Sequence, residues 1–435
     1  MKKTISAALA ATLLPLALLA GCSGGSDSGS GSNSSAAAAG DSTTAEAPPA
    51  VENAQGVTDT QILIANSAAT SGTYAPVGVP FLAGLQAYLD MVNAAGGVDG
   101  REIKFLHTDD EFDPAKGSAA LTEFVEDEKV FAIVGHFGTP VVAATVEQLK
   151  EYGIPAVYFA TGIGQLYAEG ATTNEEGYNI FPVQPIYRTE GSIMVAFATA
   201  KFEAKKIGII YTNDDAGMDI EKGAVAQIEK LDGITYVEQQ VAAGSADVSA
   251  AVTSIKNENV DFIIVASIQG TFPTIVKELA AQGVNKDCIS TYVNTSDAMS
   301  KAVVDDIQGK FDVYSMGWVD YASDIAQQAL ADYQAHVASE YAMNAYAQTG
   351  WIAGTFFVEG LKRLEGQPVT WESYMKALES APIQNPFGGQ IDYANGNRLG
   401  TQEMNLSKVV PVSDDYPSGW EQVEPLESVK SLLGQ

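Results

Sequence analysis

Residues 131–149 read FAIVGHFGTPVVAATVEQL. Phe131, Ala132, Ile133 and Val134 form an unbroken apolar run, which suits a strand buried on both faces of a sheet. Gly135, His136, Phe137, Gly138 and Thr139 follow, and then Pro140, a residue type favoured at the first position of a helix. Val141, Val142, Thr145, Val146 and Leu149 recur at helical spacing. The stretch therefore reads as strand, glycine-bearing loop and helix N-terminus. Such a junction presents unpaired backbone N–H groups at the positive end of a helix dipole, where a carboxylate can be held without a catalytic residue. An ordinary βα turn has the same outline, so the neighbouring junctions decide between the two.

Those junctions repeat the pattern. Upstream, 61–65 reads as a strand and 68–74 as a polar, glycine-bearing loop ending at Tyr74. A helix follows with Leu82, Leu85, Leu89 and Val92 on one stripe, and Gly96 and Gly97 suit its C-cap. A second strand spans 103–106. Asp113 and Pro114 are an N-cap and first-turn pair for a helix running to 128. Downstream, 156–159 is a fourth strand, and Ala160, Thr161 and Gly162 leave its carboxyl end. Strands alternating with helices predict a parallel sheet covered on both faces. Ligands bind such sheets at the carboxyl ends of the strands. The loops at 68–74, 135–139 and 160–164 all lie there, and their convergence favours a binding site.

A second lobe repeats the alternation. Residues 181–185, with two prolines, suit a first hinge. Strands are expected at 207–211, 236–241, 262–266 and 289–293, and helices near 249–258 and 273–282. The loops after these strands contribute Asp215, Gln269 and Asn294 as candidates. A strand at 313–318, ending at Trp318, carries the chain back across the hinge. Two long helices, 324–345 and 349–364, are assigned to the first lobe. The C-terminal portion is turn-rich with short strands. The expected division is 57–185 with 322–385 for one lobe and 186–321 with 386–435 for the other. The expected fold class is α/β, with two doubly wound parallel-sheet lobes.

The N-terminus has a different character. Met1, Lys2 and Lys3 are a basic start, residues 7–20 are almost all Ala and Leu, and Leu19, Ala20, Gly21 and Cys22 close the segment. The run is short for a membrane span and ends in small residues before a cysteine, so it resembles the bacterial lipobox, whose cysteine is diacylated. Residues 23–56 are rich in Ser, Gly and Ala and read as a flexible tether. No other stretch reads as long and apolar enough to cross a membrane. The folded part is expected outside the cytoplasm, on the periplasmic or outer face, anchored to the membrane through Cys22.

The chain carries a formal net charge of −30 at pH 7. Nucleic acid and bare anionic lipid would repel it. Besides Cys22 the only cysteine is Cys288, which cannot form an internal disulfide and reads as a buried free thiol. His107, His136 and His336 lack metal-ligand spacing, and a packed histidine is the simpler reading of His136. Gly21-Cys22-Ser23-Gly24-Gly25 matches G-x-S-x-G only formally, because it lies in the lipobox and tether. Asp109, Asp110, Asp214 and Asp215 could be paired catalytic carboxylates, but loop and helix capping explain them more simply. No catalytic residue, metal or cofactor is expected. Tyr74, Tyr158 and Trp318 are available to pack on a ligand or in the core.

Several stretches, in order, carry a family resemblance. They are Asn93-Ala94-Ala95-Gly96-Gly97-Val98-Asp99-Gly100, Asp109-Asp110 with Asp113-Pro114, Ile133-Val134-Gly135, Tyr211 to Gly217, and Gly350-Trp351. The chain resembles the periplasmic binding proteins of the leucine/isoleucine/valine type. The resemblance implies two lobes joined by three hinge crossings that close on a ligand, and delivery of that ligand to ABC permease subunits. It implies a carboxylate held at Thr139, with Phe137 and Gly138 beside it, and further contacts from Ala160, Thr161 and Gly162. The tyrosine that the family places in the second lobe's first loop is Ala216 here, and a second falls at Ile268 or Gln269. The family's ammonium-binding glutamate falls near Asn294–Ser296, where no acid occurs before Asp297. The expected partner is thus a small carboxylate-bearing solute, an amino acid first and an aromatic or short organic acid or amide second. The protein is expected to act as a monomer. A ligand sensor for a membrane receptor would use the same site.

Overall fold

The computed structural model describes residues 52–172, 175–321 and 323–435. The signal segment, Cys22 and the tether as far as residue 51 lie outside them. The chain begins with β1 (Gln61–Ala68), α1 (Ala75–Ala94), β2 (Glu102–Asp109), α2 (Pro114–Thr122), β3 (Ala132–Phe137), α3 (Thr139–Tyr152), β4 (Ala156–Ala160) and β5 (Ile180–Phe181). These five strands form one parallel sheet in the order β2-β1-β3-β4-β5. Every residue of β3 is buried, whereas the edge strand β2 is half-exposed and carries Glu102, Lys104 and His107. Apolar centre and polar edge is the pattern a sheet covered by helices on both faces requires.

The second lobe holds α4 (Tyr187–Ala200), β6 (Lys206–Thr212), α5 (Asp215–Ile228), β7 (Thr235–Val241), α6 (Ser249–Glu258), β8 (Phe262–Ala266), α7 (Thr271–Ala281), β9 (Cys288–Ser290), α8 (Asp297–Ile307) and β10 (Val313–Gly317). The chain then returns through α9 (Asp324–His336), α10 (Ala345–Lys362), α11 (Trp371–Glu379) and the short pair β11 (Ile383–Gln384) and β12 (Gln390–Ile391). It ends in the second lobe with β13 (Glu403–Val409), β14 (Trp420–Ser428) and α12 (Val429–Leu432). The second sheet has seven strands in the order β14-β13-β10-β9-β8-β6-β7. Its first five strands in sequence are parallel, and β13 and β14 extend it antiparallel.

Most expected elements are present, with five corrections. The C-terminal portion is not merely turns and short strands, because β13 and β14 are seven and nine residues long. The helix expected over 324–345 stops at His336, where a 3-10 turn at Ser339–Tyr341 intervenes. Residues 53–56, expected in the tether, are docked: Ala54 N–H donates to Val369 O at 2.9 Å, and Gln55 Nε2 to Val130 O at 3.0 Å. Residues 386–400, expected with the second lobe, pack on first-lobe elements. There Arg398 is fully buried, pairs with Glu379 at 2.8 Å and lies 4.0 Å over the Phe181 ring. A buried guanidinium needs that paired and stacked setting. Finally, Gly72–Ala94 is by length and composition apolar enough to span a bilayer, but half of it is buried in the fold. Tyr88 of this helix packs edge-on against Trp351 of α10 at 4.9 Å.

Three crossings join the lobes. Thr401 donates to Val183 O through its N–H at 2.9 Å and its hydroxyl at 2.7 Å. Asn405 Nδ2 donates to Val319 O at 2.7 Å. The crossings are therefore laced together while the lobes reach outward from them.

Candidate functional site

A cleft of about 500 Å³ opens where the carboxyl ends of both sheets face one another. Its first-lobe wall begins with acids that build turns. Burial pushes the Asp109 carboxyl up, but hydrogen bonds from Ser71 and from the N–H groups of Thr70 and Glu111 outweigh it and hold the group at about 2. Asp110 is fully buried and accepts the Ser67 hydroxyl at 2.8 Å and the Phe112 N–H at 2.8 Å. Together they tie the loop after β1 to the loop after β2 and hold Phe112 with φ at 65°. Phe112 then stacks on Tyr74, with ring centroids 3.7 Å apart, and meets Phe137 edge-on. Capping thus accounts for these acids, as it does for Asp214, whose carboxylate accepts the Gly217 N–H at 2.8 Å.

Behind this aromatic wall is the N-terminus of α3. Gly138 caps it with φ at 92°, a conformation disfavoured for residues with a Cβ, and an added Cβ would come 2.6 Å from the Phe112 ring. Thr139 lines the cleft, and its hydroxyl is 2.9 Å from that of Thr161. Tyr187 brings a third hydroxyl to this pair; burial pushes its phenol up to about 12.

The opposite wall is made of Ile268, Gln269, Tyr292, Val293 and Trp318, with Tyr346 of α10 reaching across. The Tyr346 hydroxyl lies 3.1 Å from Gln269 Nε2, 3.2 Å from Ser296 Oγ and 3.3 Å from Val293 O. These contacts bridge the lobes. At the far end β13 and β14 contribute Asn405, Ser407 and Trp420. Among the described residues no Lys, Arg or His lines the cleft, and its ionisable carboxylates are Asp297, Asp414 and Asp415. Asp297 is paired with Lys301 at 2.8 Å. An anion bound here would rely on neutral donors and the α3 dipole.

The structure brings Tyr74, Phe137, Gly138, Thr139, Ala160, Gln269 and Trp318 together around the cleft. Thr161 stands behind Thr139, where its hydroxyl also accepts the Ile163 N–H at 3.2 Å. Gly162 packs into the hinge, its carbonyl accepting the Tyr187 N–H at 2.8 Å. Asn294 is buried, and its amide ties the ends of β8 and β9 through Ser267 O, Ser290 Oγ and the Gln269 N–H. Those three residues support the walls rather than line them. Asp215 and Ala216 line a smaller hollow of about 250 Å³ beside the cleft. Burial first, then Asp214, pushes the Asp215 carboxyl up. Tyr158 is fully buried and accepts from Gln184 Nε2 at 2.8 Å.

His136, Cys288 and Glu190 belong to the core. His136 is buried against Thr145 at 2.8 Å, and burial pushes its imidazole down to about 4. Cys288 is a buried free thiol. Glu190 is fully buried and accepts the Tyr292 N–H at 2.7 Å; burial pushes its carboxyl up to about 8. Sequence reasoning missed Phe112, Tyr187, Tyr292, Tyr346 and Asn405. Only Phe112 had a local signal, two residues past a buried acid.

Residues 61–415 match the sequence profile of the family described as Periplasmic binding protein. An amino acid binding protein of Pseudomonas aeruginosa is 24% identical over 213 residues, which is 49% of this chain and 55% of that protein. The chain spans little more than half the length of such curated relatives. A fatty acid ABC transporter substrate-binding protein from Thermomonospora curvata superposes with a TM-score of 0.74 at 19% identity, covering 88% of this chain and 96% of that one. A branched chain amino acid ABC transporter protein from Thermus thermophilus, with bound valine, gives 0.74 at 15% identity, covering 87% and 98%. With the profile covering most of the chain and the fold shared, the chain belongs to the periplasmic binding protein family, whose members are extracytoplasmic solute-binding proteins with the type I two-lobed fold and not enzymes.

Proposed function

We propose that this protein is the substrate-capturing component of an ABC importer, and that its solute carries a carboxylate and an apolar or aromatic body. One observation carries the reading: the α3 N-terminus, with Gly138 and Thr139, faces a cleft whose walls include the rings of Tyr74, Phe112, Tyr292 and Trp318. Helix N–H groups and hydroxyls suit a carboxylate, and the rings suit the rest of the molecule. The similar proteins are named for amino acids, a fatty acid and valine, all carboxylates. An amino acid is the first choice. The smaller hollow beside the cleft leaves room for a bulkier member of the class. Cys22, outside the described residues, is proposed as the diacylated anchor, and ABC permease subunits as the partner.

A thermal-shift screen of the purified protein against amino acids, fatty acids and aromatic acids tests the reading. A ligand that binds only the native state raises the melting temperature with concentration. A shift by one of these carboxylates, absent with its methyl ester, is expected. No shift from any of them would overturn the proposal. For the anchor, Cys22→Ala is expected to release the protein from the membrane fraction, and retention at the wild-type level would contradict it.

A further inference from the structure

We infer that the solute is a long-chain carboxylate, with its head at the α3 N-terminus and an unbranched apolar chain of about fourteen to sixteen carbons running beneath the C-terminal hairpin. The inference rests on the proposed carboxylate-binding role of the cleft and turns from its first choice, a free amino acid, to a longer member of the same class.

Length is the first observation. The cleft does not stop at the loops that face α3. It continues across the second sheet: Gln269 follows β8, Val293 follows β9, Trp318 follows β10, Ser407 lies on β13 and Gln422 on β14. These strands are consecutive neighbours in the sheet, so the lining spans four spacings of about 4.8 Å, or about 19 Å. The α3 end of the cleft lies at β8, because Thr139 and Ile268 border the same smaller hollow. A gaping trap does not account for the length. Tyr346 already meets Gln269 across the lobes at 3.1 Å, and Gly164 N–H donates across them to Asp219 Oδ2 at 3.0 Å. The backbone of a free amino acid spans about 3.4 Å, so it would occupy only the head of the cleft. A saturated chain makes the same advance in three bonds, so about sixteen bonds reach the far end. The cleft volume, about 500 Å³, is likewise that of a site for a drug-sized ligand.

The character of the far end is the second observation. Leu330 and Met343, from α9 and the turn before α10, line it together with Pro417 and Trp420 of the hairpin. Among the described residues the exposed large hydrophobic side chains are Val79, Ile325, Met343 and Val412. The last three belong to the segments that frame this mouth. Apolar side chains left in water at the end of a binding cleft are a surface for an apolar chain to cover.

Charge sets the direction. Asp414 and Asp415 stand exposed on the hairpin loop at the far mouth, and among the described residues no cationic side chain lines the cleft. A carboxylate is repelled at this mouth and held at the α3 N-terminus. The methyl end of the chain therefore lies under the hairpin, and a second carboxylate at that end is rejected.

Titration calorimetry with straight-chain carboxylates below their micelle concentrations tests this. The probes are hexanoate, decanoate and tetradecanoate, with L-leucine, tetradecanedioate and the methyl ester of decanoate beside them. Affinity is expected to rise about two- to fourfold per methylene as far as tetradecanoate. Tetradecanoate is expected to bind about a hundredfold more tightly than L-leucine, and about tenfold more tightly than the diacid. Leu330→Gln and Met343→Gln are each expected to weaken tetradecanoate about three- to tenfold and hexanoate less, because the short chain does not reach them. If Leu330→Gln does not fold, Met343→Gln decides, since that residue is already 44% exposed. A series that stops rising at hexanoate, or L-leucine binding more tightly than tetradecanoate, overturns the inference while the carboxylate assignment stands. Equal binding of the diacid overturns it too. So do losses in the variants that are absent or equal for both chain lengths, because a structural effect alone would give the latter. If the methyl ester binds as tightly as decanoate, or if none of the probes binds, the carboxylate reading falls and this inference with it.

Discussion

The two walls of the cleft solve the same problem by opposite means. The first-lobe wall spends carboxylates on turns: half-buried Asp109 and buried Asp110 satisfy backbone N–H groups so that Tyr74 and Phe112 can stack at the entrance of a helix N-terminus. Its polarity toward the cleft is that of donors. The second-lobe wall leaves polarity unspent: the hairpin loop presents Asp414 and Asp415 to solvent. A wall whose turns are fully satisfied is rigid before the ligand arrives. A wall with surface still uncovered gains most from the ligand. Solute binding would then draw the second wall onto the first, which is the differential affinity that a closing trap requires.

The sharpest contrast between the lobes is expected in their response to pH. Glu190, on α4, has its folded-state carboxyl raised from 4.5 to about 8 by burial. Over that window the folded state keeps a proton that the unfolded state has lost, so stability falls as pH rises and the loss is complete above about 8. His136, in the first sheet, is lowered from 6.5 to about 4. There the unfolded state holds the extra proton, so its contribution is present above 6.5 and is lost as pH falls through about 4. Denaturant melts of wild type and Glu190→Gln between pH 5 and 9 are the check. The variant is expected to flatten the alkaline fall and leave the acid fall unchanged. An identical alkaline fall in both proteins would remove Glu190 as its source.

Next in size is the loss of a turn-forming acid. Asp110→Ala strips partners from the Ser67 hydroxyl and the Phe112 N–H, and should cost roughly 2–3 kcal/mol of stability. Asp414→Ala, on the exposed loop of the other wall, should change stability by less than about 0.5 kcal/mol. Equal effects at the two sites would erase the proposed difference between a spent and an unspent wall. A smaller effect is expected for Tyr346→Phe. It removes the hydroxyl that meets Gln269, Val293 and Ser296 across the lobes, and should lower solute affinity about two- to tenfold by weakening the closed form. Unchanged affinity would mean that this contact does not help closure.

The same contrast governs how much of the molecule was legible in its sequence. β3 and α3 were readable because an apolar run, two glycines and Pro140 announce strand, loop and helix within twenty residues. The capping acids were readable for the same local reason. β13 and β14 were not. β14 carries the extra residues where its register with β13 shifts, which breaks its alternation, and Pro425 argues against a strand there, although β14 lies at the sheet edge, where a proline is tolerated. Asn294 was misread because a polar residue after a strand looks available until its amide is seen to be fully bonded. Tyr346 and Tyr292 were missed because their place depends on contacts with residues far along the chain. Arg398 gave no hint that it would be buried, since it and its partners Glu379 and Phe181 lie on three separate segments brought together only by the fold.

The central claim is that a carboxylate is held at the α3 N-terminus, and titration calorimetry at Thr139 tests it most directly. With a carboxylate identified by the thermal-shift screen, Thr139→Val keeps the shape and removes one hydroxyl from the anion. It should cost roughly 1.5–3 kcal/mol, about ten- to a hundredfold in affinity. Thr139→Ser keeps the donor and should cost much less. Thr253→Val, on the exposed face of α6, should bind as the wild type does. A folded Thr139→Val protein that binds the carboxylate as tightly as wild type would contradict the account, because the anion would then be held somewhere other than this helix.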